Sequence, residues 1–213
     1  MIDNNAEKFN RMSLERVAEK LKFNGFKEVY LVDSASAARE KVLSLIKINS
    51  TVGVGGSESV AQIGLLNELE TKAKVLRHKP GLPFDERKKI WRQIFSADYY
   101  IASPQAVTYD GEMYFIDKNG NRVAAVIFGP EKVILIIGNN KVVKDKEQAL
   151  WRIRNVSAVK NAFRMNIKTP CASSGICSEC QSDDRICMVI TTIMRKPTAT
   201  EYAIILVNEE LGY

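Results

Sequence analysis

All four cysteines of the chain, Cys171, Cys177, Cys180 and Cys187, fall in one segment with the spacing C-x5-C-x2-C-x6-C. Thiolates are soft ligands, so such a quartet on a loop could close around an iron–sulfur cluster or, as the alternative, a zinc ion. The two-residue gap between Cys177 and Cys180 lets both sulfurs reach one metal centre. Pro170, Ser173-Ser174-Gly175 and Ser182-Asp183-Asp184 suit a tight loop. The spacing leaves two other readings open, disulfides and free thiols that only pack. It is neither the short ferredoxin run nor a two-knuckle zinc ribbon, and the segment has no histidine for a Cys2His2 site.

Two other stretches could do chemistry. Gly53, Gly55, Gly56 and Ser57 follow an apolar run and precede a helical pattern. Glycines there let backbone approach a ligand, and helix-start amides suit a carboxylate, phosphate or pyrophosphate. Glu58 stands where a dinucleotide fingerprint needs glycine, and no Gly-Lys-Ser/Thr follows, so no nucleotide cofactor is expected. Tight strand–helix packing is the bland reading of the same glycines. The second stretch holds Asp110, Glu112, Asp117, Asn121 and Arg122. Arg122 could fork onto a substrate carboxylate, with Asn121 as a further ligand contact. Asp110, Glu112 or Asp117 could supply acid–base chemistry where burial raises a carboxyl pKa. Plain turns at Asp110-Gly111 and Asn119-Gly120 are the competing reading. His78, the one histidine, reads as a surface residue, and Trp91 and Trp151 as core or interface. Ser57 has no evident base partner, which argues against a hydrolase triad.

The chain has 213 residues, 46% of them apolar, and a formal charge of +6. That length supports a substantial core without cross-links. Its basic residues are scattered rather than striped, which argues against nucleic acid but suits a small anionic ligand. No run reaches membrane-spanning length, and Met1-Ile2-Asp3-Asn4-Asn5 lacks the apolar core of a signal peptide. A cytoplasmic location is therefore expected.

The elements that must position these residues can be read from periodicity. Residues 6–24 read as a helix with Phe9, Met12, Val17 and Leu21 on one face and Gly25 as its stop. Residues 28–32, 51–54, 75–76 and 99–102 read as strands, and 34–48, 57–69 and 85–96 as helices, Ser34 and Ser57 being N-caps. Residues 80–83 read as a turn. This alternation predicts an α/β fold with an open, mostly parallel sheet and helices on both faces. Residues 113–116 and 123–128 flank Asn119-Gly120 and read as a hairpin insertion. Residues 133–137 read as a central strand, 146–165 as a long helix, and 188–194 and 203–207 as closing strands. No repeat or linker breaks the chain, so residues 1–213 form one domain with the cysteine loop, 170–187, inside it.

Several motifs then form an ordered series. They are Gly53-Val54-Gly55-Gly56-Ser57, Ile63-Gly64-Leu65-Leu66 and Val107-Thr108-Tyr109-Asp110-Gly111-Glu112, followed by Gly120-Asn121-Arg122-Val123-Ala124-Ala125 and Phe128-Gly129-Pro130. Gly138-Asn139-Asn140-Lys141-Val142-Val143, Arg152-Ile153-Arg154-Asn155-Val156 and Leu206-Val207-Asn208-Glu209-Glu210-Leu211-Gly212-Tyr213 complete it. Together they resemble the LUD-domain family of lactate-utilisation proteins over nearly the whole chain. Thr169-Pro170-Cys171 and Asp184-Arg185-Ile186-Cys187 resemble its cysteine-bearing variant.

The resemblance implies the fold shared by sugar-phosphate isomerases and CoA transferases. It also implies a part in oxidising L-lactate to pyruvate with iron–sulfur partner proteins. CoA transferases use a glutamate as nucleophile, and no Glu here matches that role, so the fold alone confers no transferase activity. The leading expectation is a component of an iron–sulfur-dependent organic-acid system. The alternatives are a small-anion binding or assembly subunit without turnover, and a sugar-phosphate or acyl-CoA enzyme. A homodimer through surface helices or terminal strands is compatible with the sequence, which does not decide it.

Overall fold

The computed structural model describes residues 4–79 and 81–213; residues 1–3 and Pro80 of the expected turn lie outside them. The first half alternates helix and strand. Helix α1 (Asn4–Phe23) leads to strand β1 (Glu28–Val32), α2 (Ala35–Leu45) to β2 (Thr51–Val54), and the short α3 (Glu58–Gln62) and α4 (Leu66–Lys72) to β3 (Lys74–Leu76). Helix α5 (Phe84–Ile94) precedes β4 (Tyr99–Ala102). Strands β5 (Ala106–Thr108) and β6 (Met113–Asp117), helix α6 (Asn121–Ile127), and strands β7 (Lys132–Gly138) and β8 (Val142–Val143) follow. Helices α7 (Lys146–Arg152), α8 (Ala158–Met165) and α9 (Pro170–Ser174) and strands β9 (Val189–Ile193) and β10 (Glu201–Val207) complete the order.

Local chemistry explains most boundaries. Gly25 ends α1 in the left-handed region at φ 94°. The Ser34 hydroxyl accepts from Ala37 N at 3.2 Å and caps α2. Ser57 caps α3 in the same way, accepting from Val60 N at 3.4 Å. The helix expected from Ser57 onward is broken, because Gly64 adopts φ 68° and separates α3 from α4. On α1 the buried stripe is Leu14, Val17 and Leu21, whereas Phe9 and Met12 are 65% and 60% exposed.

Six strands form one sheet in the order β1-β10-β7-β4-β2-β3, and every neighbouring pair is parallel. In β7, Val133, Leu135 and Ile137 face one core, with α1, α5 and α6, while Ile134 and Ile136 face the other, with α2, α3 and α4. A strand covered on both faces needs apolar side chains at every position, which is why residues 133–137 show no alternation.

The expected hairpin is corrected. Residues 123–128 are not its second strand, because 121–127 coil into α6. The reason is Asp117, whose carboxylate accepts from the amides of Lys118, Arg122 and Val123 and so starts the helix. The hairpin exists one strand earlier, between β5 and β6, turning at Gly111 with φ 76°. A second sheet, absent from the sequence expectations, runs β8-β5-β6-β9. It takes residues 189–193 away from the main sheet, while β10 inserts between β1 and β7. The long helix over 146–165 is continuous but contains a π-helical turn, Ile153–Ser157.

Candidate functional site

Strand carboxyl ends are where an open parallel sheet leaves room for ligands. Here β2, β4 and β7 end at Gly55, Ser103 and the Asn139–Lys141 turn, around a cavity of about 340 Å³. Its lining holds five basic side chains, Arg87, Lys118, Arg122, Lys141 and Arg164, and two acidic ones, Glu58 and Asp117.

The acids are already engaged. Arg164 pairs with Glu58 at 3.0 Å. Arg122 approaches Asp117 at 3.4 Å and donates to Ile116 O at 2.7 Å. Asp117 is 6% exposed, so its carboxylate is occupied by α6 and Arg122 rather than open to a substrate. By contrast, Arg87 Nε is shielded from water and lacks a hydrogen-bond partner.

Lys141 forms the floor. It is 2% exposed, and its Nζ lies 2.7 Å from both Ser59 Oγ and Ser103 Oγ. No carboxylate pairs with it among the described residues. Burial lowers its pKa well below the ordinary lysine value, and Arg152 and Arg122 act in the same direction. Arg152 is also buried; it donates to Asn140 O, Gln105 O and Ser157 Oγ, and burial brings its pKa down to about 10. The π-helical turn places Ser157 five residues on from Arg152 and within reach of its guanidinium.

Two aromatic groups complete the wall. Trp91 Nε1 donates to His78 Nδ1 at 3.2 Å, and both line the cavity rather than the surface or the core. Burial lowers the His78 pKa, with Arg87 and Arg77 adding to it. The terminal residues close one side. Leu211 N donates to Asn140 Oδ1, Gly212 N to Gln62 Oε1, and Tyr213 joins the lining. A side chain at Gly138 would meet Leu211 N at 2.5 Å, so glycine there lets the tail cross.

The residues singled out from sequence separate into three places. Gly55, Gly56, Ser57, Asp117, Asn121 and Arg122 line the cavity. Gly53 does not: a Cβ there would lie 2.7 Å from Ile94 and 3.0 Å from Tyr100, so its role is close packing. Helix α3 is only five residues long, too short to offer a strong dipole to an anion. Asp110 and Glu112 line a different groove, with Lys20, Asn24 and Thr192. They precede β6 while Asp117 ends it, and five residues separate Glu112 from Asp117, about 16 Å at the usual strand rise. Glu112 accepts from Tyr114 Oη at 2.6 Å. These two carboxylates therefore do not share a substrate with Arg122.

The four cysteines are half-buried free thiols. Cys171 Sγ contacts Thr169 Oγ1 at 3.3 Å, and Arg185 Nε lies 3.3 Å from Cys187 Sγ. Among the described residues no three Cys, His, Asp or Glu side chains converge as a metal ion requires. As arranged, the quartet does not form the ligand set of a cluster or of tetrahedral zinc.

Sequence reasoning missed Lys141, Ser59, Ser103, Arg87 and Arg152 as site residues. One signal was available: Lys141 and Ser103 each follow the carboxyl end of an apolar central strand.

This architecture defines an α/β protein with a cation-rich cavity at the carboxyl edge of a parallel sheet. The chain belongs to the LUD-domain family, whose model matches residues 14–207 and which is linked in general to lactate utilisation. Its fold is similar to that of a DUF162 family protein from Deinococcus radiodurans, at TM-score 0.55 and 12% identity, over 93% of this chain and 98% of that one. Among curated proteins none is similar enough to match.

Proposed function

We propose that the cavity binds a small organic acid, and that the chain is the acid-binding component of a lactate-utilisation system. In that system iron–sulfur partner proteins carry the electrons between L-lactate and pyruvate. The observation that carries this reading is the charge imbalance of the cavity: its two acids, Glu58 and Asp117, pair with Arg164 and Arg122, while Arg87 on the same wall has a buried Nε with no hydrogen-bond partner. A buried donor without a partner costs about 1–3 kcal/mol, which a bound carboxylate would recover. At about 340 Å³ the cavity is at the small end of ligand pockets and holds a small acid together with its water.

The test is thermal denaturation with L-lactate, pyruvate, propionate or inorganic phosphate. A carboxylate at about a hundred times its Kd adds about 2.7 kcal/mol. For a chain of this size that raises Tm by roughly 5–10 °C. Arg87→Gln should weaken carboxylate binding about 10–100-fold while leaving the unliganded Tm near that of the parent. Stabilisation by phosphate but by none of the three acids would sink the reading and favour a phosphorylated ligand.

A further inference from the structure

We propose that Lys141 is a nucleophilic amine that forms an imine with a small oxo acid in the cavity. This rests on the organic-acid reading above and deepens it by naming the substrate class, a 2-oxo acid.

The hydrogen bonds around Nζ accommodate a free amine. A neutral lysine has two N–H bonds and one lone pair; an ammonium has three N–H bonds and a charge. Nζ donates to two hydroxyl oxygens, Ser59 Oγ and Ser103 Oγ, each at 2.7 Å. Those hydroxyls send their own protons elsewhere, Ser59 to Leu211 O and Ser103 to Pro104 O, each at 3.2 Å. Two acceptors match the two N–H bonds of a free amine, whose lone pair is then left for a ligand in the cavity.

The surroundings agree. An unpaired buried charge costs several kcal/mol even after relaxation, so a site with no carboxylate beside Nζ favours the neutral form. Arg152 and Arg122 raise that cost, and burial with nearby cations is the arrangement that frees an amine for imine chemistry. Lys141 lines the cavity together with Arg87 and Arg122, cations suited to the carboxylate of the same substrate.

The step balances without a further reactant. The Nζ lone pair adds to the carbonyl carbon, and the carbonyl oxygen takes up protons and leaves as water. Both amine hydrogens end in that water, and a C=N bond joins Nζ to the acid. Ser59 and Ser103, each 2.7 Å from Nζ, position the amine.

The experiment incubates the intact protein with pyruvate and cyanoborohydride at neutral pH, followed by intact and peptide mass spectrometry. Thermal stabilisation by L-lactate, which has no carbonyl, is measured in parallel. A surface lysine is free amine in fewer than about one molecule in a thousand at pH 7. Reduced adduct is therefore expected at Lys141 in about tenfold or greater excess over any other lysine. It should disappear in Lys141→Arg and form more slowly in Ser103→Ala, which keeps the lysine. Adduct absent from Lys141, or spread evenly over lysines, overturns the imine even where L-lactate still stabilises the fold; in that case the acid-binding reading stands. No stabilisation and no adduct overturn both.

Discussion

Lys141 has a consequence for stability as well as for chemistry. Burial, Arg152 and Arg122 hold its pKa well below the ordinary 10.5. Above the folded pKa and below 10.5, the unfolded chain binds a proton at this amine that the folded chain does not. Stability must therefore rise as pH climbs from the folded pKa towards 10.5. Tyr100 and Tyr202 act oppositely, since burial raises their pKa values, but only above the ordinary tyrosine value of 10.0. Between about pH 7 and 9 the lysine effect is cleanly visible. Chemical denaturation across that range should show the parent gaining stability relative to Lys141→Met, which keeps the apolar stem and has no proton to bind. Parallel profiles for the two proteins would mean that the folded lysine is charged.

At the scale of elements, position along a strand decides which residues cooperate. Strand β6 carries Glu112 just before one end and Asp117 at the other, so two carboxylates close in sequence serve different places. Asp117 caps α6, and α6 in turn brings Arg122 to the cavity. The cysteine segment is another such element. It is tied mainly to itself and its flanks, through Arg185 to Cys180 and Cys187, and through Lys168 to Ser182 and Asp184. Arg154 also pairs with Glu179. Since the thiols are half-buried, unbridged and not gathered as a ligand set, all four should react with a thiol reagent in the native protein. Protein prepared without oxygen that carries iron or zinc, and loses it in Cys180→Ser, would show the loop closing into another arrangement.

At the scale of the molecule, one core joins the two sheets. Val107, Met113, Phe115 and Ile193 of the smaller sheet pack in the same cluster as Val133, Leu135, Tyr202 and Leu206 of the larger. Among the described residues no helix is long and apolar enough to cross a membrane. A shared core predicts a single cooperative unfolding transition. Trp91 on α5 and the largely exposed Trp151 on α7, whose Ala149 packs against the smaller sheet, provide separate probes. Urea titrations of the Trp91→Phe and Trp151→Phe variants, each followed by its remaining tryptophan, should each agree with circular dichroism. Two separated transitions would mean that the sheets unfold independently.

Local signals in the sequence determined much of the scaffold. Ser34, Ser57 and Gly25 mark helix ends, and the apolar run at 133–137 marks the central strand, because caps, turns and burial on two faces act within a few residues. The ordered motifs also pointed to the LUD-domain family. What only the tertiary structure decided was partnership. The Asn119-Gly120 turn looked like a hairpin until the Asp117 carboxylate was seen to organise a helix. Likewise β9 and β10, neighbours in the chain, separate into different sheets. Lys141, Ser59 and Ser103 lie far apart in sequence and meet because β7, β4 and β2, the strands they follow, are consecutive neighbours in the main sheet. A lysine's charge state depends on what surrounds it in space, and no local pattern of residues carries that information.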